Sequence, residues 1–324
     1  MITKKYYKLV KVSYEDSGYF YMENISDQAG NFSVYKSGAT QWTNAEYSTD
    51  GVNWEFYDLT TLPSILIPSG GRIYIRGNGR FGDNYTDTSY CSLRLDVDHI
   101  IGGNIYSLID KTTFSTRTTS VNSKELLGAF MDNTHLISAA KLNFGNVSTL
   151  NSQSFFNMFS GCTSLTTPPT SLPATTLASS CYKNMFSGCT SLTTAPELPA
   201  TTLASSCYTQ MFDGCTSLTT APELPATTLA NGCYLGMFNN CSSLTAAPTL
   251  PATAMAASCY SYMFKNCSSL NTVKCLATDI SANNCTNTWL GGVSATGTFI
   301  KSANMSSWTT GTSGIPSGWT VVDA

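Results

Sequence analysis

Cysteine is the residue in this 324-residue chain best suited to chemistry, and there are twelve of them. A thiolate can act as a nucleophile, a zinc ligand or half of a disulfide, and each use demands a particular spacing. Zinc sites are built from tight groups such as C-x2-C, and the sequence has none. The closest pairs are of the Cys181-x7-Cys189 kind. Disulfide scaffolds stitch separated loops of small domains. Here ten of the twelve cysteines recur in two columns: Cys162, Cys189, Cys215, Cys241 and Cys267, then Cys181, Cys207, Cys233, Cys259 and Cys285. One address per repeat reads as a small buried apolar residue, hence a ladder of free thiols. Disulfides between ladder neighbours stay open as the alternative. Cys275 stands where other repeats carry Glu197, Glu223 and Thr249, and is expected to face solvent.

Other candidate chemistry is sparse. His99 and His135 are the only histidines, and neither lies in a nucleophile motif. Glu197 and Glu223 would stack one repeat apart, closer than a hydrolytic carboxylate pair stands. The run GNGRFG, Gly77 to Gly82, matches a dinucleotide fingerprint literally. That fingerprint works only when a helix N-terminus follows and aims its amides at a pyrophosphate. "DNYTDTSY" follows instead, so the run is expected to be a loop between strands. Adjacent threonines such as Thr201-Thr202 would point to opposite sides of a strand, against a flat ice-binding array. The sequons at Asn240 and Asn266 fall at what reads as the core address of the repeat. The sequence therefore predicts no catalytic residues, no metal site, no cofactor and no enzyme.

The element that positions these residues is a repeat. Phe159, Phe186, Phe212, Phe238 and Phe264 are separated by 27, 26, 26 and 26 residues. Leucine columns accompany them: Leu192, Leu218, Leu244 and Leu270, then Leu198, Leu224, Leu250 and Leu276. Proline recurs at Pro173, Pro199, Pro225 and Pro251. The pattern fades at both ends, with Asn133 in place of a cysteine before it and Trp289-Leu290 in place of Met-Phe after it. Regular inner units with atypical ends are the mark of a stacked array, in which a unit too small for its own core buries its face on its neighbours. "TTAPELP" reads as an extended segment broken by proline, and "ASSCYKNMF" as a helical turn or irregular arc capped by serine.

The unit MFSGCTSL, recurring five times in register, resembles the bacterial BspA-type leucine-rich repeat with its MFxxCxSL core, over about Leu126 to Gly292. It departs in PELPATTLA, where that variant carries an Asp/Asn-rich stretch. The resemblance implies a curved solenoid on a cell-surface or secreted adhesion protein of Bacteroides-like bacteria, and supplies no catalytic residues.

Residues before the array differ in texture. "FYMENIS", "NFSVYKS", "NAEYSTDGVNWEFY" and "GRIYIRGN" alternate as strands, with Asp50-Gly51 in a hairpin turn. The fold class expected is mainly β with short helical turns. Residues 1–98 form an Ig-like β-sandwich, 99–292 a leucine-rich-repeat solenoid with capping coils, and 293–324 a C-terminal cap.

Charged residues are only 11% of the chain and the net charge is −3, which gives no basic footprint for nucleic acid. No apolar run is long enough to span a membrane. The first residues lack a signal-peptide pattern, so residence in the cytoplasm and export by another route both stay open. The function expected is non-catalytic binding or adhesion to a protein or glycan on a host or bacterial surface. A phage or prophage structural or receptor-binding protein, made in the cytoplasm, is the alternative. The residues that vary between the constant Tyr and Met are the expected contacts: Lys183 and Asn184, Thr209 and Gln210, Leu235 and Gly236, Ser261 and Tyr262.

Overall fold

The computed structural model describes residues 18–38, 40–83, 89–117 and 122–324. The expectation about the first residues falls on 1–17, outside them. The described chain is mainly β. Its only helical turns are two short 3-10 segments, Ile105–Leu108 and Phe114–Thr116.

The N-terminal part forms two sheets. Strands β1 (Tyr21–Asn24), β2 (Gly30–Ser37), β3 (Gln41–Ser48), β4 (Glu55–Phe56), β5 (Ile65–Ile67), β6 (Arg72–Arg80), β7 (Tyr90–Leu95), β8 (His99–Asn104) and β9 (Leu136–Asn143) follow in order. One sheet runs β4-β3-β6-β1-β8-β9 and the other β5-β2-β7. Alternating residues face a common core of Phe20, Met22, Phe32, Trp42, Ile73 and Leu93. The expected hairpin is present: Tyr47 pairs with Glu55, and the Asp50 carboxylate accepts from the amides of Val52 and Asn53. The GNGRFG run is not a loop, because Gly77 to Arg80 belong to β6. A Cβ on Gly77 would sit 2.4 Å from Nε1 of Trp42, so packing against the indole explains the glycine.

β8 pairs with β1 on one side and with β9, the first repeat's strand, on the other. A single sheet thus crosses from the N-terminal part into the array, and one apolar core continues from Phe20 to Trp319.

In the array the buried aromatic side chains stack on their counterparts in the next repeat. Phe159, Phe186, Phe212, Phe238 and Phe264 stack at 5.2–5.6 Å with interplanar angles of 4–5°. A second ladder runs Phe155, Tyr182, Tyr208, Tyr234, Tyr260. Thr286 takes the tyrosine position in the last unit, and Trp289 reaches back to fill the rung at 6.2 Å from Tyr260.

Proline decides where strands form. In the inner units the extended segment is reduced to single parallel bridges, such as Thr194 to Thr220 and Thr176 to Thr202 to Thr228. Proline has no N–H to give a ladder. The prolines end after Pro251 until Pro316. There a regular parallel sheet appears, β10 (Thr272–Cys275), β11 (Gly297–Lys301) and β12 (Trp319–Asp323).

Register slips by one residue at this point. Ala246 pairs with Thr272, 26 residues on, but Leu250 pairs with Cys275, 25 residues on. Cys275 therefore fills the inward leucine column and is fully buried, contrary to the expectation that it faces solvent. Leu276, assigned to that column by type, is only half-buried.

Candidate partner-binding face

The arc from Ser180 to Cys189 shows how outward residues are presented. Alternate amides bond along the stack: Tyr182 N–H to Cys207 O at 3.0 Å, Asn184 N–H to Thr209 O at 3.0 Å, Phe186 N–H to Met211 O at 2.9 Å, and Gly188 N–H to Asp213 O at 2.7 Å. The intervening amides close tight turns, as Met185 N–H to Tyr182 O at 3.2 Å. This satisfies every second donor between repeats without a strand or a helix. Of the two forms expected for this segment, helical turn or irregular arc, the arc is the one found, built of linked turns, and Ser180 takes a left-handed backbone rather than a capping one.

Every fourth residue is left-handed: Ser180, Asn184 and Gly188, then Ser206, Gln210 and Gly214, then Gly232, Gly236 and Asn240, then Ser258, Tyr262 and Asn266. Side chains consequently leave the arc as two in, two out. Cys181-Tyr182 and Met185-Phe186 are buried, while Lys183-Asn184 and Ser187-Gly188 face outward.

The expected contact residues are all in the outward pairs, with unequal exposure. Lys183 is half-buried, its Nζ 5.4 Å from the Phe156 ring. Asn184 is half-buried and its Oδ1 has no hydrogen-bond partner among the described residues. Thr209 is 6% exposed and donates to Gly232 O at 3.0 Å. Ser261 is 3% exposed and donates to Asn287 O at 3.4 Å. Leu235 is half-buried and Gly236 buried. Gln210 donates to Asp213 Oδ2 at 3.4 Å. Tyr262 stands out: it is 37% exposed, at φ 57°. A bulky residue in the left-handed region is rare and costs about 1–2 kcal/mol. Asn287 donates to its hydroxyl at 3.0 Å, and Lys265 Nζ lies 5.4 Å from its ring.

A second variable pair on the same face lies between Phe and the following Cys. It comprises Ser187-Gly188, Asp213-Gly214, Asn239-Asn240 and Lys265-Asn266. Asn239 and Asn240 donate to Asp213 Oδ1 at 2.9 and 3.0 Å, and Asn266 donates to Asn240 Oδ1 at 2.9 Å. Their variation within a constant unit was the same signal that marked the first pair. Asn240 is half-buried and Asn266 exposed, so these asparagines do not occupy a core address.

Elsewhere, the inward groups are poorly placed for chemistry. All twelve cysteines are buried and free. Burial pushes the thiols of Cys207, Cys259, Cys267 and Cys275 up to about 12. Cys189, Cys215, Cys241 and Cys267 each donate to the phenylalanine carbonyl of the preceding repeat at 3.0–3.1 Å. Burial holds His99 down at about 4. His135 is exposed, with Nδ1 3.4 Å from Asp98 Oδ1. Glu197 and Glu223 are exposed. Thr201 and Thr202 are both exposed, because the chain there makes only an isolated bridge and does not alternate as a strand. Among the described residues no group of three or more His, Cys, Asp and Glu is placed to hold a metal ion, and no helix is long and apolar enough to cross a membrane.

No protein-family model matches the chain. No curated protein matches it. Among solved structures, the leucine-rich repeat protein of T. pallidum (TpLRR) aligns with 64% of this chain and 78% of its own, at 16% identity and a TM-score of 0.32.

Proposed function

We propose that the chain is a non-catalytic binding protein: a leucine-rich-repeat solenoid of BspA type, borne on an Ig-like β-sandwich, that engages a protein partner at a cell surface. The observation that carries this reading is the outward face of the arcs. There a constant scaffold holds Lys183, Gln210, Asp213, Asn239, Tyr262 and Lys265 in register. An exposed tyrosine ringed by side-chain amides and charged groups fits a recognition surface with an aromatic anchor and a polar rim. Tyr262 is the natural anchor, because tyrosine offers large contact area at little entropic cost. The buried thiols and the buried neutral His99 favour a structural role for the residues that could otherwise do chemistry.

The test is a binding screen of the whole chain against surface-protein and glycan arrays, followed by Tyr262→Ala and Lys265→Ala. Loss of the recovered interaction in these variants, with unchanged melting, supports the face. Undiminished binding in both variants refutes it, and a turnover in a broad hydrolase screen refutes the non-catalytic reading.

A further inference from the structure

The second aromatic ladder does not stop at the last repeat. Trp289 continues it from Tyr260, and Trp308 continues it again, 5.6 Å from Trp289 and within 9° of parallel. Phe299 meets Trp308 edge-on at 5.1 Å. Trp308 is half-buried, and among the described residues no further ring stacks upon it. It lines a cleft of about 300 Å³ formed with Trp319, Ile315 and Val321. This is the lower end of the range for small-molecule pockets, about 300–1,000 Å³.

The remaining lining is hydroxyl-rich. Ser306, Ser307, Thr310 and Ser317 are exposed at the cleft, and their hydroxyls make no hydrogen bond among the described residues. Each can donate and accept. The Trp308 Nε1 is buried without a partner, whereas the Trp319 Nε1 donates to Ser294 O at 2.8 Å. Among the described lining residues Lys301 is the one cation, but its ammonium is paired with Asp323 and bonds Met305 O at 3.0 Å. The cleft is therefore electrically balanced.

We propose that this cleft binds a neutral saccharide, with a pyranose ring continuing the Tyr–Trp stack over Trp308. The face of an indole is electron-rich and attracts the slightly positive C–H bonds of one pyranose face. The sugar hydroxyls, donors and acceptors at once, match the serine and threonine hydroxyls around the rim. A paired lysine gives no excess charge to select an acidic ligand. This site follows the last repeat and shares no residue with the face proposed to bind a protein, so it stands or falls separately.

The test uses the full chain, nitrogen-15 labelled, and reads the indole N–H signals of its five tryptophans. Maltose, cellobiose, lactose and mannobiose are titrated to millimolar levels. The expected result is that at least one moves the Trp308 signal saturably while Trp42 and Trp54 stay in place. Ser317→Arg, an exposed change that fills the cleft, should weaken that binding at least about tenfold. Trp308→Phe, which offers the sugar a smaller and less electron-rich ring face, should weaken it as well, read at the Trp319 signal of the same cleft. Three results would overturn the proposal: no sugar moves Trp308, the shift survives Ser317→Arg undiminished, or only an aromatic probe such as p-nitrophenol binds. Neither variant should alter partner binding at Tyr262, which separates this test from that of the array face.

Discussion

Asn133 donates its side-chain amide to Nε2 of His99 at 3.1 Å, across the junction between the N-terminal sheets and the first repeat. Asn133 holds the address that is cysteine in later repeats, and the same amide also donates to Leu93 O at 3.0 Å. An amide nitrogen can only donate, so Nε2 must accept and the ring proton sits on Nδ1, which bonds Val97 O at 2.8 Å. The departure from the repeat is therefore a joint. A thiol there could not span both groups. Neighbouring contacts serve the same end: Phe81 N–H and Leu93 N–H donate to the outermost carbonyls of Glu125 and Ala129, at 2.8 and 2.9 Å.

This joint makes stability depend on pH. Burial holds His99 at about 4 against 6.5 in a free chain, outweighing the opposing pull of its hydrogen bond to the Val97 carbonyl. As pH falls below 6.5 the unfolded chain takes up this proton and the folded chain does not. Stability from this group is complete above 6.5, declines between 6.5 and 4, and levels off below 4. The full difference is about 3 kcal/mol. Urea midpoints between pH 7 and pH 4 should fall more steeply for the native chain than for His99→Gln. Parallel pH profiles would show that the histidine is not held neutral.

The thiols should be silent until the chain opens. Burial raises them, and a thiol that stays protonated is a poor nucleophile. Native protein at pH 8 is expected to resist iodoacetamide, with Cys285 first to react, since it is 4% exposed and lines a surface cleft. All twelve should be labelled once denatured without reductant. Mass spectrometry reads the order of labelling. Early modification of Cys275 would contradict its place in the leucine column.

The columns were legible in the sequence because stacking requires each side chain to meet its own copy. Phe212 between Phe186 and Phe238 is such a case. The slip at Cys275 was hidden, because Leu276 suits a leucine column by type and only backbone pairing shows that Cys275 occupies it. Left-handed positions were legible in part. Gly188, Gly214, Asn240, Asn266 and Gly292 interchange the two residues that best tolerate that conformation. Gln210 and Tyr262 carry no such signal, since the stack imposes the conformation on them. Exposure within the variable pairs was not legible either. Thr209 and Ser261 are buried by neighbouring repeats that a single unit does not reveal.

The phenylalanine ladder should behave as core despite its repetition. Phe212 is fully buried between two rings at 5.6 Å on either side. Phe212→Ala removes both stacking contacts and leaves a cavity, at a cost of about 3–5 kcal/mol. Phe212→Leu fills much of the volume and should cost distinctly less. Urea denaturation compares them. Equal losses would mean that ring stacking, and not volume, dominates the ladder.

Gly214 separates backbone strain from crowding. Its φ is 75°, yet a Cβ there would come no closer than 3.7 Å to Gly188, an ordinary contact. Space is thus available, and Gly214→Ala should cost only the left-handed penalty of about 1–2 kcal/mol. Gly214→Asn should cost less, because Asn240 and Asn266 hold the equivalent places at φ 62° and 61° and their side chains bond along the stack. The ranking Gly, then Asn, then Ala in urea midpoint follows if conformation sets the residue. Alanine as stable as glycine would mean that the fourth-residue turns relax readily, and that the Tyr262 side chain is not held in a fixed direction by the scaffold beneath it.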